Sequence, residues 1–232
     1  MSAADRAGPP PASEAGAEDL VFGRATLVLG FALLALAGWI DAVGLVRWHE
    51  LYVSFMSGNT TRFGGSPATG DWAGLGKAGR ALLMFVSGVI AGEIVAPLAG
   101  RWRSAVVVTV EAALLWLAAA SVIEGWGDGV TASIAGLAMG VQTAAVHKAD
   151  GVSVALTYVT GTLVNVGRVV AAGLRGAEPW SKALPFAGFW ISLCAGALAG
   201  ASAARAGLDV AMVAAAGIAS ALALFAGVVA RR

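Results

Sequence analysis

Residues 25–46 read ATLVLGFALLALAGWIDAVGLV, an apolar run in which Asp41 is the one ionisable side chain. About 20 consecutive apolar residues, at a rise of roughly 1.5 Å each, span the roughly 30 Å of hydrocarbon in a bilayer. In lipid, a single segment satisfies its own backbone hydrogen bonds only as a helix. This stretch therefore predicts a transmembrane helix.

The whole chain has the composition of a membrane protein. Hydrophobic residues make up 58% and charged residues 12% of it, whereas soluble domains carry about 25% charged residues. The charges gather between long apolar stretches rich in Ala, Val, Leu and Gly. We therefore predict an all-α, polytopic transmembrane helical bundle whose main partner is the lipid bilayer. The net charge of +1 gives no indication of nucleic-acid binding.

Six apolar stretches are strong candidates for spans. They are Ala25–Val46, Ala81–Ala99, Ala105–Ile123, Val130–Val146, Leu184–Ala203 and Val210–Ala230. Two weaker segments, Leu51–Gly65 and Val152–Leu174, lie between the first and second spans of each half. If both weaker segments are re-entrant the chain has six spans, and if both cross it has eight. Either arrangement puts about ten of the 15 basic residues on the N-terminal side, which predicts a cytoplasmic N-terminus.

The chain divides into a tail and two membrane repeats. Residues 1–24 begin with a Pro-, Ala- and Glu-rich tail that has no apolar period, which predicts disorder. The tail lacks the apolar middle of a secretory signal, so the first apolar run is expected to remain as a span. Residues 25–125 form the first predicted repeat and residues 126–232 the second. An odd number of crossings in each repeat would make the repeats inverted, and an even number would make them parallel.

A polar motif recurs in both halves and supports the repeat. Gly38-Trp39-Ile40-Asp41-Ala42-Val43 aligns with Gly140-Val141-Gln142-Thr143-Ala144-Ala145, and Met56-Ser57-Gly58-Asn59-Thr60 aligns with Val159-Thr160-Gly161-Thr162-Leu163. A Gly flanked by hydroxyl and amide side chains at membrane depth favours a broken helix with freed backbone groups. Such Gly-interrupted segments at matching positions of two repeats indicate a transporter's central site. Close helix packing is the structural alternative.

The motif residues are our candidates for substrate binding. They are Asp41, Ser57, Gly58, Asn59, Thr60, Gln142, Thr143, Thr160, Gly161 and Thr162. Ionisable residues at membrane depth mark ion pathways, proton relays or buried pairs. Glu93 is the candidate for proton coupling, with pairing to an arginine as the alternative, and Glu111 is interpreted as structural. Arg62 and Arg168 are the candidate partners of these acids.

Four further glycines have the spacing of helix-packing motifs. Gly88 and Gly92 match Gly196 and Gly200 in the second half, and each pair is separated by three residues. No metal site or cofactor is predicted, because His49 and His147 lie far apart without other ligands at a suitable spacing. No catalytic constellation stands out either, so we do not expect an enzyme.

In these motifs the chain resembles the YoaK family of bacterial membrane proteins, also called DUF1275. The resemblance runs from about residue 25 onward, and it departs from the family pattern at Thr143, where Asn is usual, and at Val159, where Met is usual. It implies a multi-pass protein of the bacterial cytoplasmic (inner) membrane with about six spans. It implies no substrate.

The leading functional prediction is a secondary transporter or permease for a small solute or ion. The motif residues of both repeats would then line a cavity at the membrane midplane. The alternative is a non-transporting scaffold or accessory subunit whose Gly-rich faces dock partner helices. The substrate, its direction of movement and whether the protein forms a homo-oligomer stay open at this point.

Overall fold

The computed structural model describes residues 24–48, 51–146 and 159–231, and no strand occurs in these ranges. The predicted all-α membrane bundle is confirmed. Its α-helices are α1 Arg24–Arg47, α2 Met56–Thr69, α3 Trp72–Leu98, α4 Arg103–Ile123, α5 Asp128–Gln142, α6 Val159–Leu174, α7 Leu184–Ala206 and α8 Leu208–Ala230. Short 3-10 helices, Gly100–Trp102 and Trp180–Ala183, precede α4 and α7. Residues 1–23 of the predicted tail lie outside the described residues.

Five of the described helices are long and apolar enough to cross a bilayer. They are α1, α3, α4, α7 and α8, and each coincides with a predicted span. The remaining predicted span, Val130–Val146, is wrong in length because α5 is 15 residues long and gives way to turns before Val146. At about 1.5 Å per residue it is roughly 22 Å long, shorter than the hydrocarbon layer. Most residues in its second half are buried by neighbouring helices instead.

The first weaker segment overlaps α2 and the second contains α6, and the motif glycines do not interrupt these helices. Gly58 and Gly161 each lie in the first turn of these helices as described, so the prediction of a break at the glycine is wrong. In the first repeat the non-helical backbone lies just before α2, at residues 51–55. A Cβ on Gly58 would lie 3.0 Å from the Tyr52 ring and 3.2 Å from the Phe55 ring. The glycine therefore lets this segment fold back over the start of α2.

The helices pack in a pattern that is unchanged when the two halves are exchanged. Helix α1 packs along α7, and α5 packs along α3, so the first helix of each half contacts the third helix of the other. Likewise α2 packs on α3 as α6 packs on α7, while α4 and α8 contact each other. Two copies of one unit, related by a two-fold axis, would produce this pattern.

Glycines make the close contact between α1 and α7. A Cβ added to Gly196 would overlap the carbonyl of Ala35, and one added to Gly200 would overlap the backbone of Trp39. Gly38 faces the backbone of α7 in return. Small residues allow such helix backbones to approach closely in membranes.

The contact between α3 and α5 repeats this arrangement. Gly88 lies against the carbonyl of Leu137 and Gly92 against the backbone of Val141, while Gly140 faces the backbone of α3. The glycines that the sequence singled out for helix packing therefore lie between helices of the same chain.

Candidate functional site

The non-helical segment between α1 and α2 is held by a carboxylate from α1. Asp41 Oδ1 accepts hydrogen bonds from the backbone N–H groups of Val53 and Ser54, both at 2.8 Å. Asp41 Oδ2 accepts a third from Ser54 Oγ at 2.5 Å. A charged acceptor with several donors makes strong hydrogen bonds. Asp41 thus pairs backbone groups that the break in the helix leaves free.

An amide from α2 holds the same segment from the other side. Asn59 Nδ2 donates to the carbonyl oxygen of Tyr52 at 2.6 Å, and Asn59 Oδ1 accepts from the Tyr52 N–H at 3.3 Å. Asn59 is 1% exposed. One buried side chain therefore pairs both the N–H and the C=O of Tyr52, as the backbone of a neighbouring β-strand does in a sheet.

These contacts explain why the motif combines Asp41 with Asn59. Unpaired backbone groups are costly at membrane depth, so a helix break there needs polar side chains close by. The sequence identified both motif residues, but it did not identify Tyr52 or Ser54, which they hold. No local pattern marks these two residues as partners, because the pairing depends on how the segment folds back.

A cavity of about 220 Å³ opens beside this clamp, by which we mean Asp41, Asn59 and the residues 52–54 that they hold. From the first half it is lined by residues that include Asp41, Tyr52 and Ser54. From the second half it is lined by Val159 of α6 and by Leu193 and Ala197 of α7. Ligand pockets for drug-sized molecules have volumes of roughly 300–1,000 Å³, so this cavity suits a smaller solute. Its lining is predominantly apolar, and Asp41 is its acidic group.

Most of the other predicted binding residues do not line this cavity. They are exposed, or their hydroxyl groups donate to carbonyl oxygens of their own segment. Ser57, Thr60 and Thr160 are exposed on the surface of the chain. Thr60 Oγ1 donates to the carbonyl of Met56 at 2.8 Å in its own helix, a common bond for Ser and Thr in helices. Thr162 and Thr143 make equivalent bonds in their own segments, at 2.6 Å and 2.7 Å. The structure therefore does not gather the ten predicted residues around one midplane cavity.

Gln142 makes a different connection between the two halves. Its Nε2 donates to the carbonyl oxygen of Leu33 on α1 at 2.7 Å, and the side chain is 2% exposed. Leu33 lies eight residues before Asp41, which is about 12 Å along a helix. Gln142 is thus a buried polar contact at another level of the bundle.

The proton-coupling candidate forms an ion pair. Glu93 Oε2 lies 3.5 Å from Arg103 Nη2, and Arg103 Nε donates to the carbonyl of Ala144 at 3.0 Å. This geometry fits the alternative in which Glu93 pairs with an arginine, and the arginine is neither of those expected from the sequence. Arg62 instead lies 3.8 Å from Asp71. Arg103 starts α4, so proximity to Glu93 depends on the turn between α3 and α4.

The described residues contain no group of three or more His, Cys, Asp or Glu side chains that could hold a metal ion. His49 and His147 lie outside the described residues.

The comparisons with known proteins agree with the membrane architecture. The family described as "Protein of unknown function (DUF1275)" matches residues 29–225. A transmembrane protein of Rhizobium meliloti (strain 1021), UPF0700 transmembrane protein RA0705, is 36% identical over 191 residues. That match covers 79% of this chain and 80% of the relative. No solved structure matches the chain significantly.

Proposed function

The chain belongs to the DUF1275 family of membrane proteins, and we propose that it is a secondary transporter or permease for a small solute. The cavity beside the clamp is the single observation that carries this proposal. Residues from both halves line it, an acidic side chain borders it, and the backbone next to it is not helical. Transporters bind substrate at such places, where helix breaks from a repeat unit meet at membrane depth.

The lining of the cavity constrains the chemistry of the solute. Asp41 already accepts three hydrogen bonds from residues 53 and 54, and a carboxylate offers about four lone-pair sites. No Lys or Arg in the described part of the chain forms an ion pair with it. The remaining walls are apolar or aromatic. We propose a small, largely apolar solute that carries a positive charge or one strong hydrogen-bond donor.

Aromatic rings at the cavity fit a cationic solute. The rings of Tyr52 and Phe55, which both line the cavity, pack edge to face with centroids 5.4 Å apart. Aromatic faces attract cations, and the attraction grows when the site is desolvated. A carboxylate beside two rings would favour an alkylammonium group over an anion of the same size.

The orientation follows from the distribution of basic residues. We place the chain in the bacterial cytoplasmic membrane with its N-terminus in the cytoplasm, because about ten of the 15 basic residues lie on that side. The proposal includes no catalysed reaction and no cofactor. The scaffold alternative required free Gly-rich faces, and the structure places Gly92 and Gly200 against helices of the same chain.

Uptake into proteoliposomes tests the proposal. The probe is radiolabelled tetraethylammonium, driven by an inside-negative potential and compared with empty liposomes. We expect uptake by the wild type and a loss of at least tenfold in Ala197→Phe, which fills the cavity from α7 and replaces no residue of the clamp. Leu198→Phe is the matched control, since Leu198 is the next residue on α7 and is 73% exposed.

Equal uptake by Ala197→Phe and Leu198→Phe would contradict a role for the cavity in transport. If the wild type takes up neither tetraethylammonium nor smaller alkylammonium ions, the cation specificity is wrong. A panel of neutral solutes of similar size then separates that failure from the absence of any transport.

A further inference from the structure

A second acidic residue lies deep inside the bundle, away from the cavity. Glu111 on α4 is 0% exposed, and neither of its carboxyl oxygens has a hydrogen-bond partner in the described part of the chain. A charged side chain without a partner at the bilayer centre costs on the order of 3 kcal/mol even on the lenient insertion scale. Buried polar atoms in native structures are nearly always paired, so these two oxygens call for a partner that the described residues do not supply.

Gln142 presents a third buried oxygen of the same kind. Its Nε2 donates to the Leu33 carbonyl, while its Oε1 is buried and has no partner among the described residues. Rotating the amide would place two acceptor oxygens against each other, so the contact with Leu33 fixes which atom is free. The free atom is therefore an acceptor, as both Glu111 oxygens are when the carboxyl is ionised.

Two contacts between α4 and α5 show where Glu111 and Gln142 lie relative to each other along the bundle axis. Ser104 Oγ donates to the carbonyl of Ala145 at 2.7 Å, near the start of α4. Ser121 Oγ lies 2.8 Å from Thr131 Oγ1, near the other end of α4. The two helices therefore run antiparallel. Either contact can serve as the origin from which positions along the bundle axis are counted in residues.

Counting at about 1.5 Å per residue places Glu111 and Gln142 within roughly 6 Å of each other along the bundle axis. Helical side chains lean towards the N-terminus of their own helix. In an antiparallel pair, the side chains of Glu111 and Gln142 therefore lean towards the same level.

Along α4, Glu111 lies between residues of two apolar clusters of the core. On α4, Val108 belongs to one cluster and Ala112 to the other, with Glu111 between them. On α5, Met139 and Val141 likewise belong to different clusters, just before Gln142. Apolar side chains therefore enclose Glu111 on both sides along α4, and apolar side chains also precede Gln142 on α5.

The described helices around α4 bring no counter-charge into contact with Glu111. No ion pair or hydrogen bond joins Glu111 to a titratable or charged group in the described residues. Among the described residues, the one other buried side-chain atom without a partner is Trp48 Nε1. Trp48 lies beside Ala132, about 15 Å from Gln142 along α5. The titratable groups on the helices packed against α4 are Lys77, Arg80, Glu93, Arg101, Asp128 and Asp209, and Arg231 directly follows α8.

We propose that Glu111 and Gln142 form a buried binding site for a small monovalent cation, either a proton or an alkali ion. Three acceptor oxygens without a donor fit a cation, and one monovalent charge neutralises the carboxylate, whereas a divalent ion would leave a net charge in the core. The site lies at the level of Leu33, about 12 Å from Asp41 along α1, so it does not depend on the solute cavity.

Two measurements on the purified full-length protein in nanodiscs test the site and separate the two ions. Infrared spectroscopy detects a proton as the C=O stretching band of a carboxylic acid. Thermal unfolding in NaCl against choline chloride detects an alkali ion as a midpoint that rises with each tenfold increase in Na⁺. We expect one of the two signals in the wild type. We expect it to be lost in Glu111→Gln, which keeps the shape but needs no counter-ion, and to be retained in the control Glu93→Gln.

The outcomes are decisive for each part of the proposal. A wild type with neither signal, or a signal that persists in Glu111→Gln, overturns the site. Gln142→Leu should shift the carboxylic acid band, or weaken Na⁺ binding about tenfold. An unchanged band and unchanged Na⁺ dependence in this folded variant would remove Gln142 from the site.

Discussion

Replacing Asn59 by Ala tests the clamp at the start of α2 directly. The substitution removes both hydrogen bonds to the backbone of Tyr52 and leaves its N–H and C=O without these partners. An unsatisfied buried group costs about 1–3 kcal/mol. Tyr52 is only half-buried, and the contact to its N–H is long at 3.3 Å, so we use the lower part of that range for both groups. The expected loss in the free energy of unfolding is therefore about 2–3 kcal/mol.

The measurement is unfolding by SDS in mixed micelles, followed by circular dichroism. Thr60→Ala is the matched control because Thr60 is the next residue, is exposed, and bonds only within its own helix. We expect this control to stay within about 0.5 kcal/mol of the wild type. Asn59→Asp should be at least as damaging as Asn59→Ala, since the carboxylate cannot donate to the Tyr52 carbonyl. An Asn59→Ala protein as stable as Thr60→Ala would refute the clamp.

Three further substitutions and one control, Gly217→Ala, test the packing, the cavity and the core. Gly196→Ala should lose about 1–3 kcal/mol in thermal melts because the methyl group overlaps the backbone of α1. A methyl group at Gly217 on α8 would face open space, so the control Gly217→Ala should gain about 0.5–1 kcal/mol. Equal changes in melting temperature for the two variants would contradict close packing at Gly196. Asp41→Asn keeps an oxygen for the two backbone donors, so stability should change by only about 1 kcal/mol, while tetraethylammonium uptake falls at least tenfold. Uptake at the wild-type level would show that Asp41 is purely structural. Ser121→Ala breaks the buried contact with Thr131 and should cost about 0.5–1.5 kcal/mol in SDS unfolding, and a neutral result would contradict that contact.

The candidate site was only partly predictable, for reasons that individual residues show. Asp41 and Asn59 were identifiable because a carboxylate and an amide at membrane depth need partners. The partners themselves, Tyr52 and Ser54, were not identifiable because they are backbone groups of an irregular segment. Thr60 and Thr162 do not line the cavity beside the clamp, and the hydroxyl of each donates to a carbonyl oxygen of its own helix.

The sequence by itself determined the spans and the motif positions. Both are local properties: the length of an apolar run decides whether it crosses lipid, and a charged or amide side chain in such a run is costly wherever the helix packs. Even the error at α5 is informative, because its apolar residues face other helices, and hydropathy does not distinguish burial in protein from burial in lipid.

Only the tertiary structure decided which helices meet and which polar atoms are left over. The pairing of α1 with α7 and of α3 with α5 joins segments more than 40 residues apart, through glycines that look alike in sequence. Whether Glu111 has a partner depends on the helices packed around α4, and the described residues leave both its oxygens without one. Packing geometry is a property of the assembled bundle, so no local pattern could have predicted it.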